Sequence, residues 1–165
     1  MFEKPATRRA IIGASALGLA GTALAFAGGT KVNRDSFPVK KSEAQWKKEL
    51  GADRFRILRK AGTERAFSSP LNKEKRAGLY HCAGCNQTLF SSADKYDSGT
   101  GWPAFTKPVA ASRIGTAKDT SLGMVRVEEH CSRCGGHLGH IFNDGPPPTG
   151  KRHCINGLAL RFRPA

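Results

Sequence analysis

The chain has 165 residues, of which 39% are hydrophobic and 24% charged. That length suits one domain with an added segment at one end, and apolar residues recurring beyond about residue 45 exclude a disordered chain. A formal charge of +14 would suit an anionic partner, but Lys and Arg are scattered, in doublets such as Lys40-Lys41 and Lys47-Lys48, without interleaved aromatics. A solvated basic face accounts for this pattern better than a nucleic-acid surface does. Nineteen glycines and nine prolines point to turns and short strands rather than a helix bundle.

Residues 1–27 read as an address. A basic start at Arg8-Arg9 precedes an uncharged Ala/Gly/Leu stretch, and Ala25-Phe26-Ala27 offers small residues at a cleavage site before Gly28. The arginine pair resembles a twin-arginine signal, which exports folded proteins and would place the mature chain in the periplasm. The alternative is an uncleaved anchor, and only then would the chain meet a membrane.

Residues 28–41 read as a polar linker containing Pro38. Ser42-Glu43-Ala44-Gln45 is a capping box that opens a helix to about Leu50, with Trp46 and Leu50 on one face. Gly51 ends it. A second short helix follows over residues 53–60, carrying Phe55, Ile57 and Leu58. The pair forms a helical arm for packing on a sheet, with no catalytic residue expected in it.

From Gly78 the pattern becomes β. Gly78 to His81 enters, and Thr88 to Phe90 leaves, a hairpin built around Cys82-Ala83-Gly84-Cys85. Residues 99–105 make a turn that presents Trp102 before Pro103. Gly123 to Glu128 alternates apolar and polar residues, as a half-buried strand does, and leads towards Cys131-Ser132-Arg133-Cys134. Further strands are expected over His137–Phe142 and Ile155–Phe162, joined by the stiff loop Asp144–Gly150. The two Cys-x-x-Cys turns share only their spacing. Residues 42–165 therefore read as one mainly β, antiparallel domain with a short N-terminal helical arm.

Four of the five cysteines, Cys82, Cys85, Cys131 and Cys134, make two knuckles of the spacing that holds a tetrahedral Zn²⁺. A redox dithiol of the thioredoxin kind would instead open a helix after a strand. Cys154 is left over. Strand alternation puts Arg152, Cys154 and Asn156 on one face and His153 and Ile155 on the other. A free cysteine is often buried and inert, but a thiol flanked in sequence by imidazole and guanidinium, from His153 and Arg152, is a candidate nucleophile. His137 and His140 could be core residues or ligands; lying between a complete metal set and an orphan thiol, they suit proton handling near neutral pH. Trp102, held in a Gly- and Pro-rich turn, could wall an apolar pocket.

Three segments, Gly99-Thr100-Gly101-Trp102-Pro103-Ala104-Phe105, His137-Leu138-Gly139-His140-Ile141-Phe142-Asn143-Asp144-Gly145-Pro146 and Arg152-His153-Cys154-Ile155-Asn156-Gly157, together resemble methionine-R-sulfoxide reductases of the B type. The resemblance runs from about Ser42 to Phe162. It implies two antiparallel sheets, a structural zinc at the four knuckle cysteines, and thiol-dependent reduction of the R epimer of methionine sulfoxide in proteins, recycled by a thioredoxin-like reductant. It further implies Cys154 as the nucleophile and Trp102 as the wall for the substrate methyl group. His137, His140 and Asn156 would form the polar wall around the sulfoxide oxygen, and Arg152 would favour the thiolate. Many members carry a resolving cysteine where this chain has Thr100; without one, an external thiol is expected to resolve the Cys154 sulfenic acid. A basic zinc-ribbon binding module is the rival reading. It would explain the knuckles and the charge but not Cys154, the histidine pair or the Trp102 turn.

Overall fold

The computed structural model describes Met1 and residues 32–165, so the expected signal segment and residues 28–31 lie outside the described residues. Among the described residues no helix is long and apolar enough to cross a membrane.

Helix α1 (Glu43–Lys60) begins as expected. The Ser42 hydroxyl accepts the Gln45 N–H, and the Gln45 side chain accepts the Ser42 N–H. The helix is broken at Gly51, whose φ of 71° and ψ of 171° are non-helical, so two helical stretches meet there. Gly51 supplies the left-handed φ that other residues resist. The break lets both apolar sets face inward: Trp46, Leu50, Phe55, Ile57 and Leu58 are all buried.

Among the described residues, nine antiparallel strands form two sheets. They are β1 (Gly78–Cys82), β2 (Thr88–Ser91), β3 (Lys95–Tyr96), β4 (Ala104–Phe105), β5 (Ile114–Asp119), β6 (Arg126–Cys131), β7 (His137–Phe142), β8 (Arg152–Ile155) and β9 (Leu160–Pro164). The smaller sheet has the order β2-β1-β9 and the larger the order β3-β4-β8-β7-β6-β5. One core joins them. Phe90 stacks on Phe105 with ring centroids 4.4 Å apart, Tyr80 meets Phe105 edge-on at 4.9 Å, and α1 covers them with Ile57 and Leu58.

Some boundaries differ from the sequence reading. The expected strand Ile155–Phe162 is two strands in different sheets. Ile155 closes β8, a 3-10 turn at Gly157–Ala159 follows, and β9 starts at Leu160. The chain must change sheets here, and Gly157 permits it, because a Cβ there would lie 1.9 Å from the Ser69 hydroxyl. The expected strand from Gly123 starts only at Arg126, after a 3-10 turn, but it reaches Cys131. β5 carried no alternating signal in the sequence, being an edge strand with no residue fully buried. Residues 32–41 lie against the domain, with Val39 packed on the core and its N–H bonded to Arg133 O at 3.0 Å.

Candidate active site and metal centre

The two knuckles share more than spacing. Cys82 closes β1 and Cys131 closes β6, and each turn is tied by the same two backbone bonds. Asn86 N–H reaches Cys82 O, and Gly135 N–H reaches Cys131 O, each at 2.8 Å. Cys82 N–H reaches Gln87 O at 2.8 Å, and Cys131 N–H reaches Gly136 O at 2.9 Å. Asn86 and Gly135 both take a left-handed φ, of 60° and 66°. The turns bring the four sulfurs within 4.8 Å of one another. Cys82 and Cys134 Sγ are 3.6 Å apart, and Cys85 and Cys131 Sγ 3.5 Å. Metal–sulfur bonds of about 2.3 Å in a tetrahedron would place sulfurs about 3.8 Å apart, so the donor set fits one thiolate-bound ion. Gln87 supports it by directing its amide towards Cys131 Sγ at 3.5 Å, and Arg59 donates to Cys134 O at 2.8 Å while stacking over Trp46.

Cys154 lies in the larger sheet, directly opposite His140 on β7 and Ala104 on β4. Trp102, two residues before Ala104, precedes Pro103, whose carbonyl accepts the Ile155 N–H at 2.9 Å. The result is a cavity of about 110 Å³ that Cys154, Trp102, His140, Phe142, Asn156 and Thr63 help to line. The alternation expected for β8 holds: Arg152 and Cys154 are partly accessible, whereas His153 and Ile155 are buried in the core. His153 therefore does not flank the thiol. It donates its Nδ1–H to the buried Glu129 at 2.6 Å.

The structure thus brings Cys154, Trp102, His140 and Asn156 together in one slot. His137 stands behind it, its ring 5.5 Å from the His140 ring, lining a larger adjoining cavity of about 410 Å³. Arg152 turns along the strand and grips Asp144 through two bonds of 2.8 Å, with its guanidinium over the Phe142 ring. Asn156 is more brace than wall. Its Oδ1 accepts the Glu64 N–H and its Nδ2 donates to Leu138 O, both at 2.9 Å.

Burial pushes the Cys154 thiol above its ordinary range, and the Arg152 guanidinium and Thr100 hydroxyl beside it offset this only in part. Both histidines are held by carboxylates. His140 Nε2 meets Asp119 Oδ2 at 2.7 Å, and His137 Nδ1 meets Glu128 Oε1 at 2.9 Å. Burial raises both acids, but the Ser121, His140 and Arg126 contacts hold Asp119 well below the usual carboxylate range, and His137 and Arg34 hold Glu128 below it. The carboxylates are ionised, so the ring nitrogens facing them carry the protons. Desolvation lowers His140, with Asp119 resisting and Arg126 and His137 adding to the fall. At neutral pH, then, His140 is chiefly a neutral ring whose Nδ1 is an acceptor.

Sequence reasoning missed Asp119, Glu128, Asp144 and Glu64. Glu64 is 4% exposed, and its carboxylate takes the Gly157 and Leu158 N–H groups while its carbonyl accepts Trp102 Nε1–H at 3.2 Å. Asp144 and Glu128 stood inside segments already singled out, so pairing each with a nearby cation could have found them. Asp119 and Glu64 carried no such signal.

The SelR domain model matches residues 50–164. A protein of Leptospira interrogans named peptide methionine sulfoxide reductase MsrB is 53% identical over 128 residues, covering 78% of this chain and 98% of that relative. Proteins of the same name from Methanosarcina barkeri and Bradyrhizobium diazoefficiens are 53% and 50% identical, over 76% and 82% of this chain and 88% and 96% of their own lengths. With its mainly β fold, its four clustered thiols and its Cys154 slot between Trp102 and His140, the chain belongs to the SelR-domain family of MsrB-type peptide methionine sulfoxide reductases.

Proposed function

We propose that the protein reduces the R epimer of methionine sulfoxide in oxidised proteins, with Cys154 as the nucleophile. One observation carries this: the single thiol outside the metal set opens into a small cavity between an indole and a carboxylate-held imidazole. The cavity has room for a sulfinyl group and its methyl, and Trp102 offers the apolar wall that the methyl requires.

The chemistry follows from these groups. Cys154 sulfur attacks the sulfoxide sulfur to form an S–S bond while the oxygen accepts a proton; the oxygen then passes to the Cys154 sulfur as the S–O bond to methionine and the new S–S bond both break. The net products are free methionine side chain and a Cys154 sulfenic acid. An external thiol then forms a mixed disulfide with Cys154 and releases the oxygen as water. A second external thiol breaks that disulfide, restoring Cys154 and leaving the donor oxidised. A thioredoxin-like dithiol supplies both equivalents. His140, with Nε2–H spent on Asp119, presents Nδ1 to order a water beside the sulfoxide oxygen. Arg152 steadies negative charge on the sulfur while Asp144 fixes its fork.

Zn²⁺ is the ion the four knuckle cysteines suit, and it would cross-link the ends of β1 and β6 as a structural group. Residues 1–27 are proposed as a twin-arginine signal that delivers the folded protein to the periplasm, on the Arg8-Arg9 pair and the Ala25-Phe26-Ala27 site.

The test is a thiol-coupled assay on a peptide carrying racemic methionine sulfoxide. Consumption should stop at half, with the R epimer gone. Loss of the S epimer, or no consumption, overturns the reading.

A further inference from the structure

Residues 32–39 precede the segment matched by the family model, yet they are built into the wall beside the two histidines. Phe37 stands edge-on to His130 with ring centroids 5.3 Å apart. It also covers Gly135, where a Cβ would come within 2.5 Å of its ring. Val39 adds its backbone bond to Arg133. These anchors deliver Arg34 to the larger cavity, which Val32 and Arg34 line together with Lys118 and Leu122.

There, Arg34 Nη2 lies 2.9 Å from Glu128 Oε1, the same oxygen that takes the His137 Nδ1–H at 2.9 Å. The side chains of Arg34, Glu128 and His137 are only 15%, 10% and 2% exposed. Shielding of this degree makes a charge-assisted bond more directive than a surface pair. Two donors converging on one oxygen pin that oxygen at the point where the His137 Nδ1–H meets it. If Arg34 were removed, Glu128 would keep only a ring N–H and would be free to turn, releasing the imidazole with it.

We infer that Arg34 is a positioning residue of the reductase site: by gripping Glu128 it sets the orientation of His137, whose ring meets His140 at the edge of the Cys154 slot. It acts through Glu128 and does not itself line the slot. The segment immediately before the catalytic domain is therefore a working part of it. This rests on the proposed reduction, since His137 bears on turnover only if that is the reaction.

The experiment compares the full-length protein with Arg34→Ala and Arg34→Lys. It measures kcat and KM on a methionine-R-sulfoxide peptide, and the His137 imidazole by ¹⁵N-resolved NMR. Arg34→Ala should lower kcat about tenfold while KM stays within about twofold, because a displaced polar wall costs rate while the Trp102 surface is untouched. The hydrogen-bonded His137 Nδ1–H signal should broaden or be lost. Arg34→Lys should recover most of both, because only one guanidinium nitrogen reaches Glu128 and the buried Nε has no partner among the described residues. If the wild type consumes the R epimer but Arg34→Ala keeps its kcat and its His137 signal, the positioning role is overturned and the reduction stands. An Arg34→Ala that only melts lower, with the imidazole signal intact, or an Arg34→Lys as impaired as Arg34→Ala, also overturns it. A wild type that consumes neither epimer overturns the reduction instead.

Discussion

The two thiol environments of this protein are built by opposite means. The four knuckle cysteines are placed by short turns, each closed by its own backbone bonds and a left-handed residue, so the geometry within each pair is local. Cys154 is placed by register. Its surroundings come from α1's exit, the Trp102 turn, β5, β6, β7 and the loop after β7, segments far apart in sequence. In a metal site of the first kind each half is built locally, and only the meeting of the two knuckles, 46 to 52 residues apart, depends on the fold. A site of the second kind depends on many distant contacts.

The sharpest break between the two would come from serine at each. Cys154→Ser should abolish turnover while metal content and melting temperature stay as in the wild type, because a serine hydroxyl is a far weaker nucleophile than a thiolate. Activity above a few per cent of wild type would move the nucleophile to a knuckle and erase the contrast. Cys82→Ser or Cys134→Ser should do the reverse to the fold. Metal binding contributes on the order of 10 kcal/mol in small metal-dependent domains, so zinc content and thermal stability should fall together. A purified wild type that holds no zinc, and whose melting is indifferent to a strong chelator, would dissolve the distinction from the other side.

How much of each region was legible follows the same divide. The capping box at Ser42, the break at Gly51, both knuckles and the β8 alternation were readable, because each is decided within a few residues. Two of the acids behind the site were not: Asp119 is 21 residues from His140, and Glu64 is 93 from Gly157, whose N–H its carboxylate takes. Nothing in local propensity records such pairings. The change of sheet at Gly157 was missed for a related reason. Apolar residues continue through it, so the pattern reads as one strand, although tertiary packing against Ser69 and Glu64 divides it.

Thr100 offers a subtler probe. Its hydroxyl stands beside Cys154, so a thiol at that position should condense with a sulfenic acid there. After one turnover without reductant, the wild type should carry a trappable sulfenic acid, and Thr100→Cys a disulfide between the introduced thiol and Cys154. Mass spectrometry separates the two. An intramolecular disulfide from Cys154 to a knuckle cysteine in the wild type would show that the two regions exchange thiols after all.

The smallest expected effect is on pH dependence. Because burial raises the Cys154 thiol, its thiolate fraction, and with it kcat/KM, should climb with pH through a midpoint above that of an ordinary cysteine. Removing the guanidinium in Arg152→Ala takes away a lowering influence and leaves the Asp144 charge uncompensated, so the midpoint should move further alkaline. A midpoint that stays put or turns acidic would mean that Arg152 does not act on this sulfur.

The pairing of Phe142 with Arg152 and of His140 with Cys154 is closed by the loop Asp144–Gly150, where Gly145 N–H meets Gly150 O at 3.1 Å. Beyond the loop, β8 is held on both edges, by β7 and β4, and inward by the His153–Glu129 bond, so its register does not depend on the loop's length. A slip of one residue would carry His153 into the slot and turn Cys154 inward towards Glu129; the chain would keep every catalytic side chain and lose the reaction. Length changes confined to the loop should therefore be absorbed there and leave turnover intact.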